Sequence, residues 1–179
     1  MDIIIIQRHF DRIVQHAKES YPAEAGGFLG GIGNLILGIF PVPNYAFLNF
    51  EEKQQFGVSG NDNFRAAQFF EEYKMNVLGF YHSHPSSHLP IPSKQDIKAQ
   101  SSRSLKLMMI VALADLQATL VSLFEMQGQM PVKRVLRVIK DDGVNKYLME
   151  LDIEKAKQKY LLEMKRLDDR VEQILKKAS

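Results

Sequence analysis

His82 and His84 stand two apart in the run Gly79-Phe80-Tyr81-His82-Ser83-His84-Pro85, and Asp96 follows in Ile91-Pro92-Ser93-Lys94-Gln95-Asp96. Imidazole nitrogen and carboxylate oxygen are ligands that zinc accepts, and with no cysteine in the chain any metal must be held by nitrogen and oxygen. Three such ligands leave a fourth position for water, which is how a catalytic zinc site differs from a closed structural one. Each part has a plainer reading too. Ser93 followed three residues later by an acid makes a capping box at a helix N-terminus, and a His-x-His pair on a strand is commonly incidental. Only the combination points to a metal.

The elements that must position these residues follow from local pattern. Met75 to Tyr81 is apolar enough for a short strand, and alternate side chains of a strand share a face. Leu78, Phe80, His82 and His84 are then expected in one row directed at the packed interior. Pro85 stops the ladder, residues 86–91 turn, and Ser93 opens a short helix ending near Ser101. Upstream, Ile3 to Ile6 reads as a buried strand. Phe10, Ile13, Val14 and Ala17 recur at helical spacing, predicting a helix of about ten residues with His9 and His16 at its solvent edge. Phe28 to Ile32 and Leu35 to Phe40 read as a hairpin around Gly33-Asn34. The glycine-rich run there fits neither phosphate-loop pattern, since Ile36 stands where the dinucleotide fingerprint needs glycine and no Gly-Lys-Ser follows.

A long connection from Pro41 to Gly60, with Phe47, Phe50 and Phe56 as anchors, leads to a second helix over Asn61 to Lys74, suggested by Phe64, Ala67, Gln68, Phe69, Phe70 and Tyr73. Leu105 to Leu113 and Thr119 to Phe124 are expected as buried strands joined at Asp115-Leu116-Gln117. Val135 to Lys140 and Val144 to Ile153 flank Asp142-Gly143, another hairpin signal. From Glu154 to Lys177, Ala156, Tyr160, Met164, Leu167, Val171 and Ile174 step by three or four, which makes one amphipathic helix. Such a helix can fold back on the domain or pair with a second copy, and its narrow apolar stripe favours a homodimer or partner contact. The expected organisation is therefore one domain over residues 1–153 and a C-terminal amphipathic helix over 154–179. The fold class is α/β, with a mixed, largely antiparallel central sheet flanked by helices.

Composition narrows the function classes. The chain has 179 residues, 45% hydrophobic and 25% charged, values of a globular domain. A formal charge of +2 with no basic stripe argues against nucleic acid as the main partner. The apolar start is too short for a signal peptide or a membrane span, so the expected location is cytoplasmic, with no membrane partner.

The spacing His82-Ser83-His84-Pro85, a short loop, then Pro92-Ser93-Lys94-Gln95-Asp96 resembles the motif of the JAMM (MPN-plus) zinc metallopeptidases, of the prokaryotic type. The loop before Ser93 is one residue longer than is usual there. A second match is Pro22-Ala23-Glu24-Ala25-Gly26-Gly27, similar to that family's Pro-x-Glu-x-Cys-Gly segment with Gly26 in place of cysteine. The resemblance spans residues 1–153 and implies an MPN-like fold, with His82, His84 and Asp96 as zinc ligands. It implies that Glu24 holds the water and takes its proton, and that Ser93 steadies the carbonyl oxygen. His88, in the intervening loop, matches no ligand position. The implied substrate is an amide after the C-terminal Gly-Gly tail of a ubiquitin-like or sulfur-carrier protein. No insertion follows Asp96 of the length that ubiquitin-chain enzymes use to hold a second ubiquitin, so chain-linkage specificity is not expected.

Two other readings share the fold: a non-catalytic MPN scaffold and a RadC-like DNA-associated protein. The intact ligand set disfavours the first and the weak net charge the second. Zinc is the expected metal, although imidazole and carboxylate also suit iron or manganese.

Overall fold

The computed structural model describes residues 2–44 and 56–141. The chain divides into two units, Met1–Ile139 and Lys140–Ser179, and the first is described here. Its strands are β1 (Ile3–Ile6), β2 (Gly26–Ile32), β3 (Leu35–Val42), β4 (Asn76–His84), β5 (Leu107–Ala112), β6 (Leu120–Gln127), β7 (Met130–Arg134) and β8 (Leu136–Ile139). Its helices, numbered in chain order, are α1 (Gln7–Ser20), α2 (Gly60–Glu72) and α3 (Lys94–Ser102). Among the described residues the strands form one eight-stranded sheet in the order β7-β6-β5-β4-β2-β3-β1-β8. Neighbours are antiparallel except β4 with β5 and β1 with both β3 and β8, so the sheet is mixed.

The sheet buries both faces. On one side α1 sends Ile13 and Ala17 against Ile3, Ile5, Leu29, Tyr81 and Met109. On the other, Phe70 and Ala66 of α2 meet Phe28 and Phe80. β1 and β5 read as unbroken apolar runs because neither face of them meets water, as expected of strands with parallel neighbours. The β4-α3-β5 crossover places α3 beside the C-terminal end of β4, where the two histidines leave the ladder.

Four details differ from the sequence expectation. β4 runs on through His84, so the histidines are part of the strand rather than beyond it. Leu78 does not share a row with Phe80: Leu29 faces Gly79 but Gly30 faces Val77, and the extra residue reverses the alternation. Leu78 accordingly packs with Tyr81, while Val77 packs with Phe80. α2 buries Asp62, Ala66 and Phe70 and leaves Phe64 65% exposed, a different face from the one the aromatic residues suggest. β7 has no counterpart in the sequence reading. It is an edge strand carrying Pro131, which a ladder tolerates at its rim, and Gly128, at φ +62°, turns the chain into it.

The hairpin around Gly33-Asn34 forms as expected, with Gly33 at φ +62°. β8 pairs parallel with β1; its expected hairpin partner, the expected strand over 144–153 and the C-terminal amphipathic helix lie outside the described residues. Among the described residues no helix is long and apolar enough to cross a membrane.

Candidate metal centre

The face of β4 that carries Phe80 also carries His82 and His84, and the two rings end 3.0 Å apart at their Nε2 atoms. Asp96, in the first turn of α3, brings Oδ1 to 3.2 Å from His82 Nε2 and Oδ2 to 3.2 Å from His84 Nε2. A tetrahedral ion with bonds of about 2.0–2.1 Å has ligand atoms about 3.3 Å apart. The His82–His84 separation is close to that edge length, and one ligand atom from each of the three residues lies within 4.8 Å of the others, so the group is compatible with a single zinc-sized ion. His82 is buried, while His84 and Asp96 are partly open to a cleft of about 530 Å³. Glu24, Ser93, Phe56 and Arg103 also line this cleft.

The capping box exists as well as the cluster, and the two are one device. Ser93 Oγ accepts a hydrogen bond from the Asp96 N–H at 3.1 Å, and Asp96 Oδ2 accepts from the Ser93 N–H at 2.6 Å. The box fixes the Asp96 rotamer against the helix start, and the fixed carboxylate faces the imidazoles. Burial by itself would raise the Asp96 carboxyl, but the hydrogen bonds from both histidines and from the Ser93 backbone outweigh it and hold the group ionised well below the usual range. Burial lowers His82, opposed by Asp96 and assisted by His84 and Arg103, which favours the neutral imidazole a metal needs.

Glu24 is placed by a clamp between β2 and β4. Ser83, between the histidines but on the opposite face, is fully buried; its Oγ accepts from the Ala25 N–H at 2.8 Å and its own N–H donates to the Ala25 carbonyl at 2.9 Å. The Glu24 carbonyl in turn accepts from Asn44 Nδ2 at 3.0 Å. The segment that carries Glu24 is thus tied to the strand that carries the histidines. Burial pushes the Glu24 carboxyl up to about 7, with His84 lowering and Asp96 raising it more weakly. A dication on the three ligands would pull that value down again.

Gly26, where the resemblance has cysteine, is explained by Phe56. A Cβ at Gly26 would lie 2.7 Å from the Phe56 ring, which fills that space and packs on Phe80 with centroids 5.5 Å apart. The longer loop is accommodated by local bonds: the His84 carbonyl accepts from the Ser87 and Leu113 N–H groups, and Ser87 Oγ donates to the Leu89 carbonyl. His88 in that loop is exposed and lies outside the three-residue group. His16 is not at the solvent edge; it is half-buried and shares a 2.9 Å hydrogen bond with Tyr81 Oη. Its ring meets Tyr81 on the face of β4 opposite His82 and His84, where Ile13 and Ala17 of α1 also pack.

Sequence reasoning missed Ser83, Asn44 and Arg103. For Ser83 the signal was legible, since a serine at an inward strand position needs a partner. For Asn44 and Arg103 no local pattern distinguishes them from other loop and helix-end polar residues.

A mixed sheet with a two-histidine, one-carboxylate group at the end of a central strand is the architecture of the JAB/MPN class. The family described as prokaryotic homologs of the JAB domain (Prok-JAB) matches residues 7–124, and the chain belongs to it. Among solved structures it is similar to a protein from Desulfitobacterium hafniense, at 20% identity and TM-score 0.64, covering 78% of this chain and 94% of that one. It is also similar to a JAB1/MPN domain protein from Archaeoglobus fulgidus, at 21% identity and TM-score 0.51, covering 77% and 98%. A structure described as "JAMM: a metalloprotease-like zinc site in the proteasome and signalosome" matches at 19% identity and TM-score 0.51, covering 78% and 100%. No curated protein matches the chain. These likenesses establish the fold, and the His82, His84 and Asp96 group is compatible with a JAMM-type zinc site.

Proposed function

We propose that the chain is a zinc-dependent peptidase or isopeptidase that hydrolyses the amide after the C-terminal tail of a ubiquitin-like or sulfur-carrier protein. The observation that carries this reading is the group of two imidazole nitrogens and a carboxylate, opening into the same cleft as Glu24, a half-buried acid in the segment that leads into β2. His82, His84 and Asp96 would hold the metal, and Glu24 and Ser93 would work on the reacting groups. Bound zinc supplies Lewis acidity, bringing the pKa of water from about 15.7 toward about 7 and polarising a carbonyl.

Glu24 accepts the proton of the attacking water at a carboxylate oxygen and returns it to the leaving amine nitrogen, so the C–N bond breaks with no net proton change. Ser93 Oγ is already the acceptor for the Asp96 N–H, which leaves its own O–H to donate to the carbonyl oxygen as charge develops there. An imidazole must be neutral to hold a metal, so activity should fade below about pH 6 as protons compete for the nitrogens. Residence in the cytoplasm and assembly through residues 154–179 belong to the same proposal.

The test is incubation of the zinc-loaded protein with a ubiquitin-like protein fused through its terminal glycines to a reporter. The wild type should release the reporter. Glu24→Gln should keep its zinc and lose a factor of roughly 10² to 10⁴ in rate. Wild-type protein that binds zinc and cleaves nothing would favour the non-catalytic scaffold.

A further inference from the structure

Arg103 has an aromatic partner but, among the described residues, no carboxylate. It is the C-cap of α3 and its guanidinium lies over the Phe80 ring, 5.0 Å from the centroid, in the wall of the cleft. Arg12, Arg65, Lys106, Arg134 and Arg137 each have a carboxylate within salt-bridge distance, whereas among the described residues none pairs with Arg103. The acids that share its cleft are engaged elsewhere: Asp96 faces the two histidines and the Ser93 N–H, and burial holds the Glu24 carboxyl up near 7. Burial lowers Arg103 as well, yet a guanidinium stays charged at any ordinary pH.

A partly dehydrated cation without a counter-charge is destabilising for the fold. Its stem cannot be the whole account, since a lysine or methionine would cover Phe80 too. What arginine adds is a planar fork of donors, matched to a carboxylate, over an aromatic ring.

From this the geometry points to Arg103 as a specificity-determining residue that binds a carboxylate of the substrate close to the scissile amide. The inference rests on the hydrolase reading for the amide but not for the carboxylate. Two sources carry that chemistry: the terminal carboxylate of a single amino acid joined to the Gly-Gly tail, and an acidic side chain in a longer leaving segment. The first would make the enzyme release one amino acid at a time, the second would favour an acidic residue after the tail.

The experiment uses three dye-labelled peptides, one ending Gly-Gly-Ala with a free carboxylate, one ending Gly-Gly-Ala carboxamide and one ending Gly-Gly-Asp carboxamide. Binding is measured by fluorescence anisotropy on the metal-free full chain, so that no carboxylate can be drawn to zinc, and cleavage is measured separately on the zinc-loaded chain. At least one carboxylate peptide should bind the wild type roughly tenfold or more tighter than the neutral one. In Arg103→Gln that gap should shrink to about twofold or less, with Arg103→Lys in between because it keeps charge and loses the fork. Circular dichroism melting and zinc uptake establish that the variants fold. Should Arg103→Gln fail to fold, Arg103→Lys carries the test, and an unchanged gap in that variant overturns the assignment. Equal binding of all three peptides by the wild type, or a gap that survives in Arg103→Gln, also overturns it. Cleavage of no peptide alongside a binding gap would leave Arg103 standing and remove the hydrolase reading instead.

Discussion

The two faces of β4 put buried polar groups to opposite uses. On the α1 side, Tyr81 Oη meets His16 Nδ1 at 2.9 Å and Ser83 Oγ meets the Ala25 N–H at 2.8 Å. Each group there has a partner of its own, and the result is a closed, satisfied interior. On the other side, His82 and His84 present ring nitrogens to each other and to one carboxylate, all three converging on a point at the cleft. One face uses polarity to fix the backbone and the other to concentrate ligands. The difference shows what separates a structural buried histidine from a metal-binding one: not its burial, since His16 is also partly buried, but whether several lone pairs share one destination.

That contrast can be broken from either side, and the effects should differ in kind. The largest belongs to His84→Ala. It removes one corner of the triangle, so zinc content, read by elemental analysis, and turnover should both be lost while circular dichroism stays unchanged. Loss of turnover with full zinc occupancy would place the ligand set elsewhere.

Ser83→Ala should act across the sheet. It leaves the buried Ala25 N–H without its side-chain acceptor, which costs about 1–3 kcal/mol in denaturant unfolding. Because the same clamp sets Glu24 against the histidines, kcat should also fall, by roughly tenfold, with zinc content intact. A variant that loses stability but keeps kcat would reduce Ser83 to a packing role.

Glu24 gives a pH signature in the metal-free chain. Its folded pKa, about 7, lies above the ordinary 4.5, so between those values the folded state holds a proton that the unfolded state has released. Stability therefore falls as pH rises through this window and levels off above it. Glu24→Gln removes that loss. In the presence of chelator the variant should gain about 1–2 kcal/mol over wild type at pH 8 and little at pH 4.5, the figure being discounted for partial exposure. Equal gains at both pH values would mean that Glu24 is not desolvated.

Tyr81→Phe is the smallest and the control. It deletes one hydrogen bond on the satisfied face, for about 1 kcal/mol, and should leave zinc content and kcat as they were. A change in kcat would mean that the two faces of β4 are coupled.

The fold was legible wherever a segment's own pattern reports its surroundings. Ile3–Ile6 and Leu107–Ala112 are uniformly apolar because both faces of the sheet are covered where they run, and Gly33-Asn34 is a turn by its own torsional freedom. Reading failed where the surroundings reverse a local rule. Period-two counting places Leu78 beside Phe80, and only the pairing with β2, which skips a residue at Leu29 and Gly30, turns Leu78 to the other face. The aromatic count in α2 suggests a face containing Phe64, whereas the sheet receives Ala66 and Phe70.

The same division holds at the site. The types and order of Glu24, His82, His84, Ser93 and Asp96 are properties of the chain alone, because ligand chemistry depends on the atoms a residue carries and the strand period puts His82 and His84 on one face. Whether Asp96 serves the helix or the histidines could not be read from that order, since a capping box and a ligand need the same residue at the same spacing. The tertiary fold decided it by bringing the start of α3 to the end of β4, so that one carboxylate does both. It likewise decided the roles of Ser83, Phe56 and Arg103, whose partners are distant in sequence or across a sheet. A residue's chemistry is local and can be read one position at a time; convergence of several residues on one point depends on chain closure, which only the packed structure specifies.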